Sequence, residues 1–96
     1  MFRFTLDGHR DFLISFDPQS RAAYVRVAQG RVSATKEKAP GVFIDLDNKG
    51  QLLGIEILAP KRIKVSLIQR IVKQFKIPDL AQFNPHAIPN IFAAAR

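Results

Sequence analysis

The chain has 96 residues, 47 % of them hydrophobic and 24 % charged, which is the composition of one small globular domain with a thin core. It has no cysteine, which excludes a disulfide framework and thiolate chemistry and fits a reducing, cytoplasmic setting. Formal net charge is +7, and no stretch approaches the roughly 18 apolar residues of a membrane span, so an acidic partner is expected and a membrane is not.

Short apolar runs interleaved with charge open the chain. "FRFTL" (2–6) and "FLISF" (12–16) read as strands, and no signal-like apolar region precedes them. "DPQS" (17–20) is a turn, since proline presets the second position and Asp bonds its own turn. "AAYVRVA" (22–28) is the next strand, with Tyr24, Arg26 and Ala28 on one face and Val25 and Val27 on the other. Gln29-Gly30 turns the chain into "RVSATK" (31–36), a further strand, and "EKAPG" (37–41) is a loop. "VFIDL" and "QLLGIEIL" follow, joined by "DNKG". Short turns between successive strands predict an antiparallel meander.

From Pro60 the period changes. Leu67, Ile68, Ile71, Val72 and Phe75 fall in one helical arc, with Gln69, Arg70, Lys73, Gln74 and Lys76 opposite. An amphipathic helix of about three turns is predicted, ending before Pro78. The last stretch contains Pro85 and Pro89 together with Leu80, Phe83, Ile88, Ile91 and Phe92. It is too apolar for a disordered linker and must pack on its own domain, a second copy or a partner. The expected architecture is therefore α+β: an antiparallel β-meander of five to six strands over residues 1–60, one amphipathic helix over 61–78, and an extended C-terminal tail over 79–96, all in one domain.

Residues 45–56, "DLDNKGQLLGIE", place Asp45, Asp47, Gly50 and Glu56 at positions 1, 3, 6 and 12 of a calcium-loop pattern. The flanks are β-rich rather than helical, and Lys49 stands where a ligand oxygen is wanted. A hairpin explains the stretch better. With Asp47 to Gly50 as the loop, Leu46 faces Gln51, Ile44 faces Leu53, and Val42, Ile44, Leu46, Leu53, Ile55 and Ile57 form one apolar face. Asp45 and Glu56 are then about 13 Å apart at roughly 3.3 Å per residue, too far for one ion. Gly50 supplies the left-handed position that closes the loop. Gly54 marks a bulge or the close approach of a ring, with Phe43 the opposed candidate. Phe43, Leu52 and Leu58 lie on the second face, so both faces carry apolar groups.

"FDPQSRAAYVRV" (16–27) and "GVFIDLDNKGQLLGIEIL" (41–58) together resemble a small prokaryotic domain-of-unknown-function family. Its members have an Asp-Pro turn, a strand with a Tyr, and a hairpin ending in Gly-Ile-Glu-Ile. Asp17, Pro18, Tyr24, Asp45, Gly50, Gly54, Ile55, Glu56 and Ile57 match. Arg21 departs from the pattern, which usually has an acid there. The resemblance implies a β-meander with a helix, motif residues with structural roles, and, for some members, an antitoxin role beside a small toxin partner.

No residue pattern matches a nucleophile elbow or a phosphate loop. His9 and His86, the only histidines, read as surface residues in loops. Asp45 and Asp47 could do paired-carboxylate chemistry but read better as solvated turn flanks. Tyr24 and Arg26 could stack a nucleic-acid base but read better as a packing pair, and Glu56 is a candidate for a partly buried salt bridge with Arg26. No catalytic, cofactor or metal residue is assigned. Residues 1–60 hold eight bases and seven acids, whereas 61–96 hold seven bases and one acid, Asp79.

The expected function is a non-enzymatic protein-binding module, antitoxin-like and homodimeric, with Leu80, Phe83, Ile88, Ile91 and Phe92 as dimer or toxin-partner contacts. The alternative is a nucleic-acid binder in which Arg70, Lys73 and Lys76 give weak, non-specific phosphate contacts. A small enzyme is the third choice.

Overall fold

The computed structural model describes residues 2–6, 10–77 and 84–90, with side chains from residue 12 onward within those limits. Six strands form one antiparallel sheet: β1 (Phe2–Leu6), β2 (Arg10–Phe16), β3 (Ala22–Arg26), β4 (Ala34–Ala39), β5 (Val42–Leu46) and β6 (Leu52–Leu58). The α-helix α1 (Val65–Gln74) follows, with short 3₁₀ turns at Pro60–Arg62 and Pro85–Ala87, the second of which runs on into helical residues 88–90. The α+β class and the meander are as the sequence predicts.

The meander runs in two halves. Strand order is β1-β2-β3-β6-β5-β4, so each triplet is a three-stranded meander and β3 pairs antiparallel with β6 at the join. Residues 27–33 cross from the middle of the sheet to its far edge instead of making the tight turn expected at Gln29-Gly30. The fourth strand accordingly begins three residues later than expected, and "EKA" is strand rather than loop. β4 is an edge strand whose sequence, "ATKEKA", is charged, exposed and bulged near its end. Those features protect an open edge from further pairing.

Alternation sorts the residues onto two faces. Phe12, Ile14, Val25, Val42, Ile44, Ile55 and Ile57 are buried on the face that α1 covers. Ile68, Ile71 and Val72 come down from α1 into the same cluster, flanked by half-buried Leu67 and Phe75, as the periodicity predicts. Each such aliphatic side chain contributes about 1.5–3 kcal/mol on burial.

α1 ends in a Schellman motif. Ile77 N–H donates to the Val72 carbonyl (3.0 Å) and Lys76 N–H to the Lys73 carbonyl (3.3 Å). Lys76 holds the left-handed position at φ 56° that glycine usually occupies. The motif turns the chain before Pro78, where the sequence stops the helix.

Residues 84–90 fold back rather than running extended. The Asn84 side chain accepts from His86 N–H at 2.9 Å, and Pro85 starts the 3₁₀ turn. Pro85, Ile88 and Pro89 are buried. Among the described residues, no helix is long and apolar enough to cross a membrane.

Candidate functional site

The hairpin between β5 and β6 is built by Asp47. Its Oδ1 accepts from Lys49 N–H (2.8 Å) and Gln51 N–H (2.9 Å), while Gly50 N–H returns to the Asp47 carbonyl (3.1 Å). Gly50 takes φ 78°, the left-handed residue expected there.

The register differs from the expected one. Val42 faces Ile57, Ile44 faces Ile55 and Asp45 faces Gly54, but Leu46 faces Leu52. Leu53 is therefore an extra residue, a β-bulge. Its carbonyl accepts from both Val27 N–H (2.8 Å) and Ala28 N–H (3.2 Å). The bulge reverses the parity of the strand, so Leu52 joins the core face in place of Leu53. Leu53 is buried elsewhere, where its methyl carbon would lie 2.8 Å from a Cβ placed on Gly30.

The second face of the sheet carries the polar network. Tyr24 on β3 reaches across β6 and donates its hydroxyl to Asp45 Oδ2 on β5 at 2.8 Å. Thr35 on β4 donates to Asp45 Oδ1 at 2.6 Å. Beneath the Tyr24 ring lies Gly54, where a Cβ would sit 2.0 Å from the Tyr24 hydroxyl oxygen and 2.3 Å from Cζ. Gly54 is thus a gap for a ring, as expected of a strand glycine, but the ring is Tyr24 and not Phe43. Four strands are tied by this one row. The calcium-loop pattern is resolved by the same contacts: the Asp45 carboxylate holds two hydroxyls, and the Asp47 carboxylate holds two backbone amides.

Partial burial pushes the Tyr24 hydroxyl up to about 12, reinforced by the bond to Asp45 and the charges of Asp45 and Glu56, with Arg26 pulling the other way. At neutral pH Tyr24 is a fixed proton donor, not a base. Around it the face carries half-buried Arg26 and Phe43 and exposed Glu56 and Leu58, the last 42 % exposed. Glu56 is exposed, not partly buried as expected, because it points to the face away from α1, between Tyr24 and Phe43 on its neighbouring strands.

Asp17 and Pro18 make the predicted turn. Asp17 Oδ1 accepts from Gln19 N–H (2.9 Å) and Oδ2 from the Ser20 hydroxyl (3.0 Å), and these bonds lower its carboxyl below the usual range. Arg21 takes the left-handed position at φ 64° and sets its guanidinium 5.6 Å from the Phe16 ring centroid.

The remaining candidates separate. Ile88, a predicted partner contact, is fully buried in this chain's own core and offers no side chain to a partner. Leu80, Phe83, Ile91, Phe92 and His9 lie outside the described residues. Arg70, Lys73 and Lys76 are exposed on the helix side of the sheet, opposite the Tyr24 network, so the two surfaces do not combine. His86 is not a free loop histidine: its Nε2–H donates to the Ile63 carbonyl and ties the C-terminal turn to the start of α1. Thr35 was missed, and only the β4–β5 register, Thr35 opposite Asp45, could have found it. A concavity of about 600 Å³ lies between the crossover and the hairpin. Its one carboxylate, Asp47, is the one already bonded to backbone amides.

Residues 13–59 match the model of a family described as a protein of unknown function, DUF2283. This match is consistent with an uncharacterised small domain family, and the matched segment runs from β2 to the end of β6, including the whole Tyr24–Asp45–Thr35 row. No curated protein and no solved structure matches the chain.

Proposed function

We propose that the chain is a non-enzymatic protein-binding module, and that the sheet face away from α1, which no described element covers, binds a second copy of the same chain. The observation that supports this reading is the content of that face. Arg26 and Glu56 lie on adjacent strands, Arg26 opposite Gly54 and Glu56 opposite Tyr24. A two-fold axis between them sets each Arg26 against the other copy's Glu56, so the face complements itself. Leu58 and Phe43 supply apolar area beside them, and the Tyr24 row holds the surface rigid. Stacked sheets pack about 10 Å apart, a spacing that side chains of this size fill.

Charge favours the same arrangement. Helix α1 and its flanks carry the exposed bases Lys61, Arg62, Lys64, Arg70, Lys73 and Lys76. Face-to-face pairing of the sheets leaves these layers outermost and as far apart as the assembly allows. Pairing through β4 is disfavoured. Antiparallel two-fold pairing there sets Lys36, Glu37 or Lys38 against its own copy or Lys36 against Lys38.

Light scattering over a concentration series tests the reading. The expected result is a dimer that dissociates on dilution. A chain that stays monomeric at high concentration contradicts it, and directs attention to a heterologous partner such as the toxin that the family resemblance implies.

A further inference from the structure

A second surface lies on the other side of the molecule. Between the β4–β5 turn and the start of α1 is a slot of about 270 Å³ lined by Ala39, Pro40, Arg62, Ile63, Lys64, Leu67 and Arg70. Among the described residues that line it, the three charged ones are all bases. Like charges converging on one concavity repel, and the repulsion is relieved by an anion. Along the chain, residues 57–78 contain six bases and no acid.

The slot's other walls are apolar. Ala39, Pro40, Leu67 and the edge of the mostly buried Ile63 line it with the bases. Arg is the side chain suited to bidentate phosphate contact and also packs its plane against rings. The volume falls a little below the ~300 Å³ at which pockets begin to enclose small molecules, so the slot suits one group of a larger ligand. The first turn of α1 points the same way: Lys64 is the N-cap residue, makes no side-chain cap, and no acid follows it in that turn.

We propose that this slot takes a phosphate of a single-stranded nucleic acid, with the adjoining sugar and base against Pro40, Ile63 and Leu67. A single strand exposes that apolar surface beside each phosphate, whereas a duplex turns its bases inward. Lys73 continues the basic track along α1. This site is separate from the sheet face that binds a second copy, and either can stand without the other.

Fluorescence anisotropy with a labelled oligothymidylate at low salt tests the proposal on the full chain. Three proteins are compared: wild type, the pair Arg62→Gln with Arg70→Gln, and the pair Arg31→Gln with Lys49→Gln. The last removes the same charge at the other end of β5. All substituted side chains are exposed, and thermal melts confirm that each protein is folded. The slot pair is expected to weaken binding at least tenfold and to reduce the slope of log affinity against log salt by about 0.7, the value for loss of one phosphate on a single strand. The control pair is expected to change affinity less than threefold. Equal losses in the two pairs, absence of binding by wild type, or competition by polyglutamate as effective as by unlabelled oligothymidylate each overturn the proposal.

Discussion

Replacing Gly54 with alanine should unseat Tyr24. The added Cβ would stand 2.0, 2.3 and 2.7 Å from Tyr24 Oη, Cζ and Cε1, well inside van der Waals contact. An aromatic ring cannot bend away, so the whole side chain must swing and release Asp45. The hydrogen bond to a charged acceptor is worth about 1.5 kcal/mol at the low end appropriate to a half-exposed site. Overpacking adds about 1–3 kcal/mol, and the higher strand propensity of alanine returns about 0.5–1 kcal/mol. The net expectation is a loss of about 1.5–4 kcal/mol, read from urea unfolding. The decisive arm is the same substitution in a Tyr24→Ala background. With the ring gone, Gly54→Ala should be neutral or slightly stabilising, giving a coupling of at least about 1.5 kcal/mol. If Gly54→Ala costs the same with and without the ring, the ring does not explain the glycine.

Three further outcomes are expected. Tyr24 is the single tyrosine and the chain has no tryptophan, so tyrosinate absorbance titrates this residue alone and should give a midpoint near 12 in the folded protein. Because its folded value lies above the unfolded value of about 10, its stabilising contribution is whole below pH 10 and is lost as pH rises towards 12. Alkaline melts of wild type and Tyr24→Phe should converge over that window. Lys76→Gly should raise stability by about 0.5–1 kcal/mol in chemical denaturation, since the left-handed C-terminal position strains any residue with a Cβ, and a loss would refute the strain argument. Ile88→Ala should cost about 2–4 kcal/mol because it empties space in a closed core, and a change below about 0.5 kcal/mol would show that the C-terminal turn is not docked there.

The parts of the fold legible in the sequence were those governed by local chemistry. Asp47 and Gly50 announce a hairpin loop, Asp17-Pro18 announces a turn, and the arc from Leu67 to Phe75 announces a helix with its buried side correctly placed. What was not legible depended on events between strands. The bulge at Leu53 leaves no mark on the alternation, because Leu52 and Leu53 are equally apolar and either could face the core. Strand β4 hides because it lies at an edge, where nothing demands a buried face and charged residues are favoured. The Tyr24–Gly54 contact requires that β3 lie beside β6, and no local pattern states that two strands separated by a crossover and a hairpin are neighbours. The sequence therefore marks Tyr24, Asp45 and Gly54 individually but not as one row. Ile88 failed as a partner contact for a related reason: an apolar tail looks the same whether it covers its own core or another chain's.

Charge reversal tests the central claim most directly. Arg26→Glu and Glu56→Arg each place like charges together across the proposed two-fold axis, whereas the double variant restores opposite charges in exchanged positions. Sedimentation or light scattering at one fixed concentration should find each single variant monomeric and the double variant dimeric like the wild type. Single variants that dimerise as well as the wild type, or a double variant that does not recover, would contradict pairing through this face.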